Sequence, residues 1–332
     1  MLRGSRDGFV ETLVSNAALL RRRIRDPRFS MELYGVGRRS RSDVAICYIS
    51  DSVDQSVLNR MRKLIQSIDV DALTMNIESL AECMFTHKWI NPFPKFKYSE
   101  RPDTATAAIL DGNIVIMVDN SPAVMIIPAS IFDIIEEADD FNFSPMIGSY
   151  LRITRFFFSI VTWILTPLWL LFVNNPDWVP EFMKFVLITD DITVPVLLQL
   201  LILELAVDGL KLAAVNTPTM LSTPLSIVAG IVVGEYAVSS GWFNPEALLY
   251  MAVVTVGTYG QTNFEMGYAF KFLRVLTLIL TQIFNLGGFI AGVVISVLMI
   301  AFNRTITGKS YIYPLIPWDG KMLKREPLRS RP

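Results

Sequence analysis

The sequence predicts an α-helical integral membrane protein with an N-terminal cytosolic α/β domain, built on about four transmembrane helices plus one re-entrant or interfacial helix. Three observations carry this prediction. Residues 153–302 are mostly apolar runs of membrane-spanning length, residues 1–150 are charge-rich, and strand-like and helix-like patterns alternate within that first half. The 332-residue chain is 52% hydrophobic and only 18% charged, a balance foreign to disordered chains and to ordinary soluble enzymes. Three parts follow: a soluble α/β domain over 1–150, a transmembrane domain over 151–303 and a basic cytosolic tail over 304–332.

In the soluble half, Phe9, Leu13, Ala17, Leu20 and Ile24 recur every three or four residues, which makes one face of a helix over 8–24 with arginines on the other face. The cluster Arg21, Arg22 and Arg23 reads as a solvated or ion-paired face, or as a contact for anionic lipid or a neighbouring subunit, and not as a nucleic-acid site. Residues 43–49 read as a strand, and 57–68 and 77–84 as helices. Residues 106–110 and 114–118 flank Asp111-Gly112-Asn113, whose Asp-Gly step predicts a tight hairpin. Residues 124–127 add an edge strand before an acidic helix over 130–138. Cys47 and Cys83 are isolated and read as reduced thiols. A single histidine, His87, argues against a metal site. The chain lacks a phosphate-binding loop, a G-x-G-x-x-G turn, a G-x-S-x-G elbow and paired Cys/His ligands, so neither a cofactor nor an enzyme activity is expected.

In the apolar half, residues 153–173 hold one charge, Arg155 at the entry, and about 20 apolar residues suffice to cross a bilayer. The runs 224–240, 247–262 and 272–302 follow, the last long enough to tilt or to break at Asn285-Leu286-Gly287-Gly288. The run 192–214 is interrupted by Glu204, Asp208 and Lys211 and is assigned to the re-entrant or interfacial helix, leaving four spans. Splitting 272–302 at its glycines and letting 192–214 cross gives six instead. Arginines before the first span and the basic residues after the last place both termini in the cytosol, which requires an even number of crossings. The arginine-rich first 30 residues hold no cleavable apolar core, so the first span is expected to direct insertion.

Charges inside apolar segments are costly and face a bundle interior, a water-filled cavity or the interface. Glu204, Asp208 and Lys211 stand at i, i+4 and i+7 and share one helix face, and Glu235 lies within the next run. They line or gate an ion path, or else Asp208 and Lys211 form a local pair with the carboxylates of Glu204 and Glu235 at the headgroups. Gly230-x-x-x-Gly234 and Gly288-x-x-x-Gly292 are close-packing faces for helices. Gln282 and Asn285 need partners within the bundle, and Thr255, Thr258, Gln261, Thr262 and Asn263 form a further polar stripe. Together these residues suggest a hydrated pathway or a polar contact between subunits.

Arg3-Gly4-Ser5-Arg6-Asp7-Gly8-Phe9-Val10-Glu11, followed by Asn16 and Arg21-Arg22-Arg23, resembles the signature of the A subunits of bacterial spore germinant receptors. The resemblance continues through Gly37-Arg38-Arg39-Ser40, Ile68-Asp69-Val70-Asp71, the block 144–152 and Phe270-Lys271-Phe272-Leu273-Arg274, and is strongest to the sporulation-type branch. Family members usually carry Pro in place of Ser5 and a further soluble region upstream, so the domain over 1–150 is expected to be truncated at its N-terminus. The resemblance implies a subunit of a channel-like complex in the inner spore membrane, the former forespore plasma membrane, where ion release accompanies germination. It implies assembly with itself, with other integral membrane germination subunits and with lipid. Two functions are open: an ion-conducting subunit, and a non-conducting scaffold that transmits a signal. A secondary transporter is disfavoured by the lack of an internal repeat.

Overall fold

The computed structural model describes residues 5–85, 91–216, 230–261, 263–308, 310–316 and 318. The chain divides into two compact units, Met1–Ile153 with Met299–Pro332, and Thr154–Leu298.

The first unit is an α/β fold. Helix α1 (Leu13–Arg23) precedes β1 (Phe29–Val36) and β2 (Ser42–Ile49); α2 (Gln55–Gln66) and α3 (Ile77–Met84) follow, then β3 (Lys97–Ser99), α4 (Pro102–Leu110), β4 (Ile114–Val118), β5 (Val124–Ile127) and α5 (Ile131–Ile135). The five strands pair antiparallel in the order β1-β2-β4-β5-β3. Because side chains alternate across a sheet, each inner strand feeds two cores. Val44, Ile46 and Tyr48 of β2 join Ile114, Ile116 and Val118 of β4 against Leu58 and Met61 of α2 and Leu80 of α3. Ala45, Cys47 and Ile49, with Val115 and Met117, pack instead with Leu13 and Leu20 of α1 and Ala105 and Ile109 of α4. Burial on both faces explains why β2 and β4 read as nearly unbroken apolar runs. It also pushes the Cys47 thiol far up, since nothing there favours a thiolate; Cys83 is exposed.

Three readings of this unit are corrected. Residues 106–110 are the end of α4 and not a hairpin strand: Pro102 sits in the first helical turn, alanines favour the helix, and Gly112 takes a left-handed φ of 88° just past the helix end. Residues 124–127 are interior, since β3 pairs with the far side of β5; β3 has three residues and leaves no apolar pattern to read. The acidic helix stops at Ile135, started by a reciprocal cap in which Ser130 and Asp133 each bond the other's backbone N–H. Strand β1 was not read from the sequence, although Phe29, Met31 and Leu33 alternate with Ser30 and Glu32; as the edge strand it buries Phe29 but leaves Leu33 exposed on the same face.

The N-terminal motif acts as a staple. Asn16 is 1% exposed, donates to the Val10 carbonyl at 2.5 Å and accepts from the Val10 N–H at 2.8 Å. Phe9 is buried, with its N–H bonded to the Glu100 carbonyl, and the Glu11 carbonyl accepts from Asn120. Arg22 and Arg23 pair with Asp7, and Arg21 lies over the Phe29 ring while donating to its carbonyl. The arginine cluster thus finds its partners within the chain. Gly8 and Arg6 are exposed, and Arg3, Gly4 and His87 lie outside the described residues.

Residues 303–311 also belong to this unit. Ile306 enters the core beside α2, and Tyr311 is fully buried, edge-on to Phe93, with its carbonyl taking the Ile131 N–H. Lys95 donates to the Arg304 carbonyl at 2.9 Å and lies over the Phe85 and Tyr311 rings.

The second unit is helical. It contains most of α6 (Pro145–Asn174), then α7 (Val196–Asn216), α8 (Pro245–Tyr259) and nearly all of α9 (Phe264–Ala301). Among the described residues, α6 and α9 are the two helices long and apolar enough to cross a membrane. Of the run 224–240, only residues 230–240 are described; they form a wide-turn helix, Gly230–Tyr236, followed by one α-turn. Thr262 lies outside the described residues. Helix α9 is two limbs: Asn285 has φ 52° and ψ −130°, and the chain folds back there. A β-carbon added at Gly288 would overlap the Leu280 carbonyl, and one at Gly292 would sit 2.9 Å from the Thr277 Cα. The limbs therefore touch backbone to backbone, as small residues four apart allow. Thr277, Thr281 and Ser296 complete the seam, buried and with their hydroxyls bonded to carbonyls one turn back at 2.7–2.8 Å.

Candidate functional site: a charged cluster among apolar helices

The acidic face of α7 meets a basic face on α9. Lys271 and Arg274 stand three apart on α9, and Glu204 and Asp208 four apart on α7, so each row follows one side of its helix. Arg274 Nε donates to Glu204 Oε1 at 2.5 Å and its Nη1 to the Thr162 carbonyl of α6 at 2.5 Å. Lys271 pairs with Asp208, donates to the Glu204 carbonyl at 3.3 Å and lies 3.7 Å from Glu204 Oε2. Glu204 is 5% exposed and Arg274 3%. The close approach of α8 to α6 helps seal this region: a β-carbon on Gly257 would come 2.6 Å from the Thr162 methyl.

Beside the ion pairs lies a cavity of about 60 Å³, lined by the four charged residues, by Lys211, and by Thr255, Thr258, Gln261 and Asn263 of the α8 end. Lys211 Nζ sits 5.3 Å from the Tyr259 ring centre and 5.6 Å from that of Tyr268. The face shared by Glu204, Asp208 and Lys211 thus does line one polar chamber, together with the threonine and amide stripe. Asp208 pairs with Lys271 and not with Lys211: α9 brings an ammonium to the Asp208 carboxylate.

The other polar candidates stand apart from this chamber. Asn285 exchanges two amide hydrogen bonds with Asn175 at the end of α6, at 2.6 and 2.9 Å, which fastens the turn of α9. Gln282 is exposed. Glu235 is exposed and has no ion pair among the described residues. Gly288 and Gly292 lie against the other limb of α9, whereas a β-carbon at Gly230 or Gly234 would meet open space among the described residues. Sequence reasoning missed Lys271 and Arg274 as site residues. The signal was present in two basic residues one turn apart opening an apolar run, matched by two acids one turn apart in another.

In the first unit, a second cavity of about 240 Å³ is lined by Lys97, Asp103, Asp111, Asp133 and Glu136 among others. Burial, helped by the Asp133 charge, raises the Asp111 carboxyl, and burial raises that of Glu136. Among the described residues, no group of three or more His, Cys, Asp or Glu is placed to hold a metal ion.

An antiparallel α/β unit followed by apolar helices, two of membrane-spanning length, with a salt-bridged chamber among them, defines the class of protein. Within that class the comparisons are specific. The family model described as Bacillus/Clostridium GerA spore germination protein matches residues 1–331, and the chain belongs to that family. It is 39% identical over 323 residues to stage V sporulation protein AF of Bacillus subtilis (strain 168), covering 97% of this chain and 65% of that protein. It is 27% identical to spore germination protein KA of the same organism, covering 97% of this chain and 59% of the relative. The chain thus spans about two thirds or less of the length of these relatives. The crystal structure of the N-terminal domain of the A subunit of the Bacillus megaterium spore germinant receptor GerK3 matches at 31% identity, covering 36% of this chain and 94% of that one, with a TM-score of 0.29.

Proposed function

We propose that this chain is a subunit of an oligomeric channel-type complex that acts in spore germination, passing ions across the inner spore membrane. Germination itself is carried by the family and by relatives named as spore germination proteins. The observation that carries the channel reading is the chamber lined by five charged side chains among apolar helices. Copies of the chain, other integral membrane germination subunits and lipid are its proposed partners. On this reading both termini lie in the cytosol; the grouping of the stretches before and after the helical unit in one compact unit supports an even number of crossings. The fold-back at Asn285 and the unbroken 21-residue α7, whose charges are met by α9, favour six crossings over four.

The test is cation flux from liposomes holding the full-length protein and its candidate membrane partners. Lys211→Met, which removes a charge from the chamber and disturbs no described ion pair, is expected to change selectivity or conductance with assembly intact; a correctly assembled complex without flux would exclude the channel. One observation favours a second reading, a non-conducting scaffold: Glu204 is buried in an ion pair and is a structural charge first. On that reading Glu204→Gln reduces assembly before it changes anything else.

A further inference from the structure

Five charged side chains line the chamber of the helical unit, and their charges do not cancel. Glu204 and Asp208 supply two negative charges, against three positive ones from Lys211, Lys271 and Arg274. Arg274 is satisfied by Glu204, and Lys271 by Asp208. Lys211 is left over: among the described residues no carboxylate lies within ion-pair distance of it, and its ammonium faces the rings of Tyr259 and Tyr268. The segment 217–229, outside the described residues, contains no acidic residue. Ring faces attract a cation but carry no compensating charge, and an uncompensated ammonium among apolar helices is costly.

We propose that the chamber binds a small monoanion, a halide or a short carboxylate, with Lys211 as its charge partner. One added negative charge brings the five-residue cluster to neutrality. The volume, about 60 Å³, admits a chloride or an acetate with water and excludes a nucleotide or a sugar phosphate.

The inference rests on the reading above only in taking the helical unit as lipid-embedded. Its test is the melting of the full-length protein in nanodiscs, followed by tryptophan fluorescence at fixed sodium concentration while sodium gluconate, too bulky for the chamber, is exchanged for chloride or for acetate. The expected result is a saturable rise of several degrees with one or both small anions, lost in Lys211→Met and kept in Lys211→Arg. A rise with chloride alone identifies a halide site, and one with acetate alone a carboxylate site. No saturable rise, or an equal rise in Lys211→Met, would overturn the proposal; should the Met variant fail to fold, Lys211→Gln gives the same comparison. Anion-dependent melting without flux counts against the channel reading, and flux without anion-dependent melting counts against this one.

Discussion

Glu204 and Arg274 show what a charge does when the surrounding helices are apolar. Each is nearly inaccessible, and each satisfies the other. Removing one partner strands the other, which costs about 3–5 kcal/mol, whereas replacing both with apolar residues of similar size is close to neutral. Arg274→Met is therefore expected to lower the melting temperature of the purified protein sharply, and Glu204→Met with Arg274→Met together to recover most of the loss. In the first unit, Glu32 illustrates a charge with a pH signature. Arg62 grips it with two hydrogen bonds, at 2.5 and 2.9 Å, and the Tyr48 and Tyr34 hydroxyls add two more, so its carboxyl is lowered to about 2. A depressed carboxyl stabilises the fold above its unfolded value and loses that contribution as the pH falls toward the folded one. Glu32→Gln is expected to remove about 2 kcal/mol at neutral pH and to flatten the acid side of the stability curve between about pH 4.5 and 2, read by amide exchange in β1 and β2.

Among the elements, α9 is the one whose form departs furthest from its hydropathy. By composition it is a single apolar stretch of 38 residues; by backbone it is a hairpin, because Asn285 accepts a positive φ and Gly288 allows the returning limb to touch Leu280. Gly288→Ala places a methyl on that carbonyl and is expected to open the hairpin, exposing the Thr277 and Thr281 seam; cysteine pairs across the limbs would then fail to cross-link. The contrast shows what a sequence discloses. Helices α2 and α3 and strands β2 and β4 were legible because burial on one stripe or on both faces writes itself into the order of residues. Strand β3, with three residues, and the interior place of β5 were not, since pairing partners are set by distant chain. The same limit applied to the chamber: Glu204, Asp208 and Lys211 could be placed on one face from spacing, but that Lys271 and Arg274 answer them follows only from how α7 and α9 pack.

Across the whole molecule, the α/β unit is assembled from two stretches separated by the entire helical unit. Lys95 marks the join. Burial lowers its ammonium to about 8, while its proton bonds the Arg304 carbonyl. Between that value and the usual lysine one, the unfolded chain holds a proton that the folded chain has released, so stability rises with pH across this window. Lys95→Met is expected to abolish that rise, measured by amide exchange of β4 and β5 from pH 7.5 to 10.5. The placement of Ile306 and Tyr311 also sets an order of events during synthesis. Residues 1–153 leave the ribosome before the apolar helices, yet two enclosed side chains of their unit are translated only after those helices. The early domain must wait, unfinished, with the sites for those side chains open. Its closure thereby becomes a late step: a chain stalled within the helices leaves the α/β unit open at the places that Ile306 and Tyr311 fill.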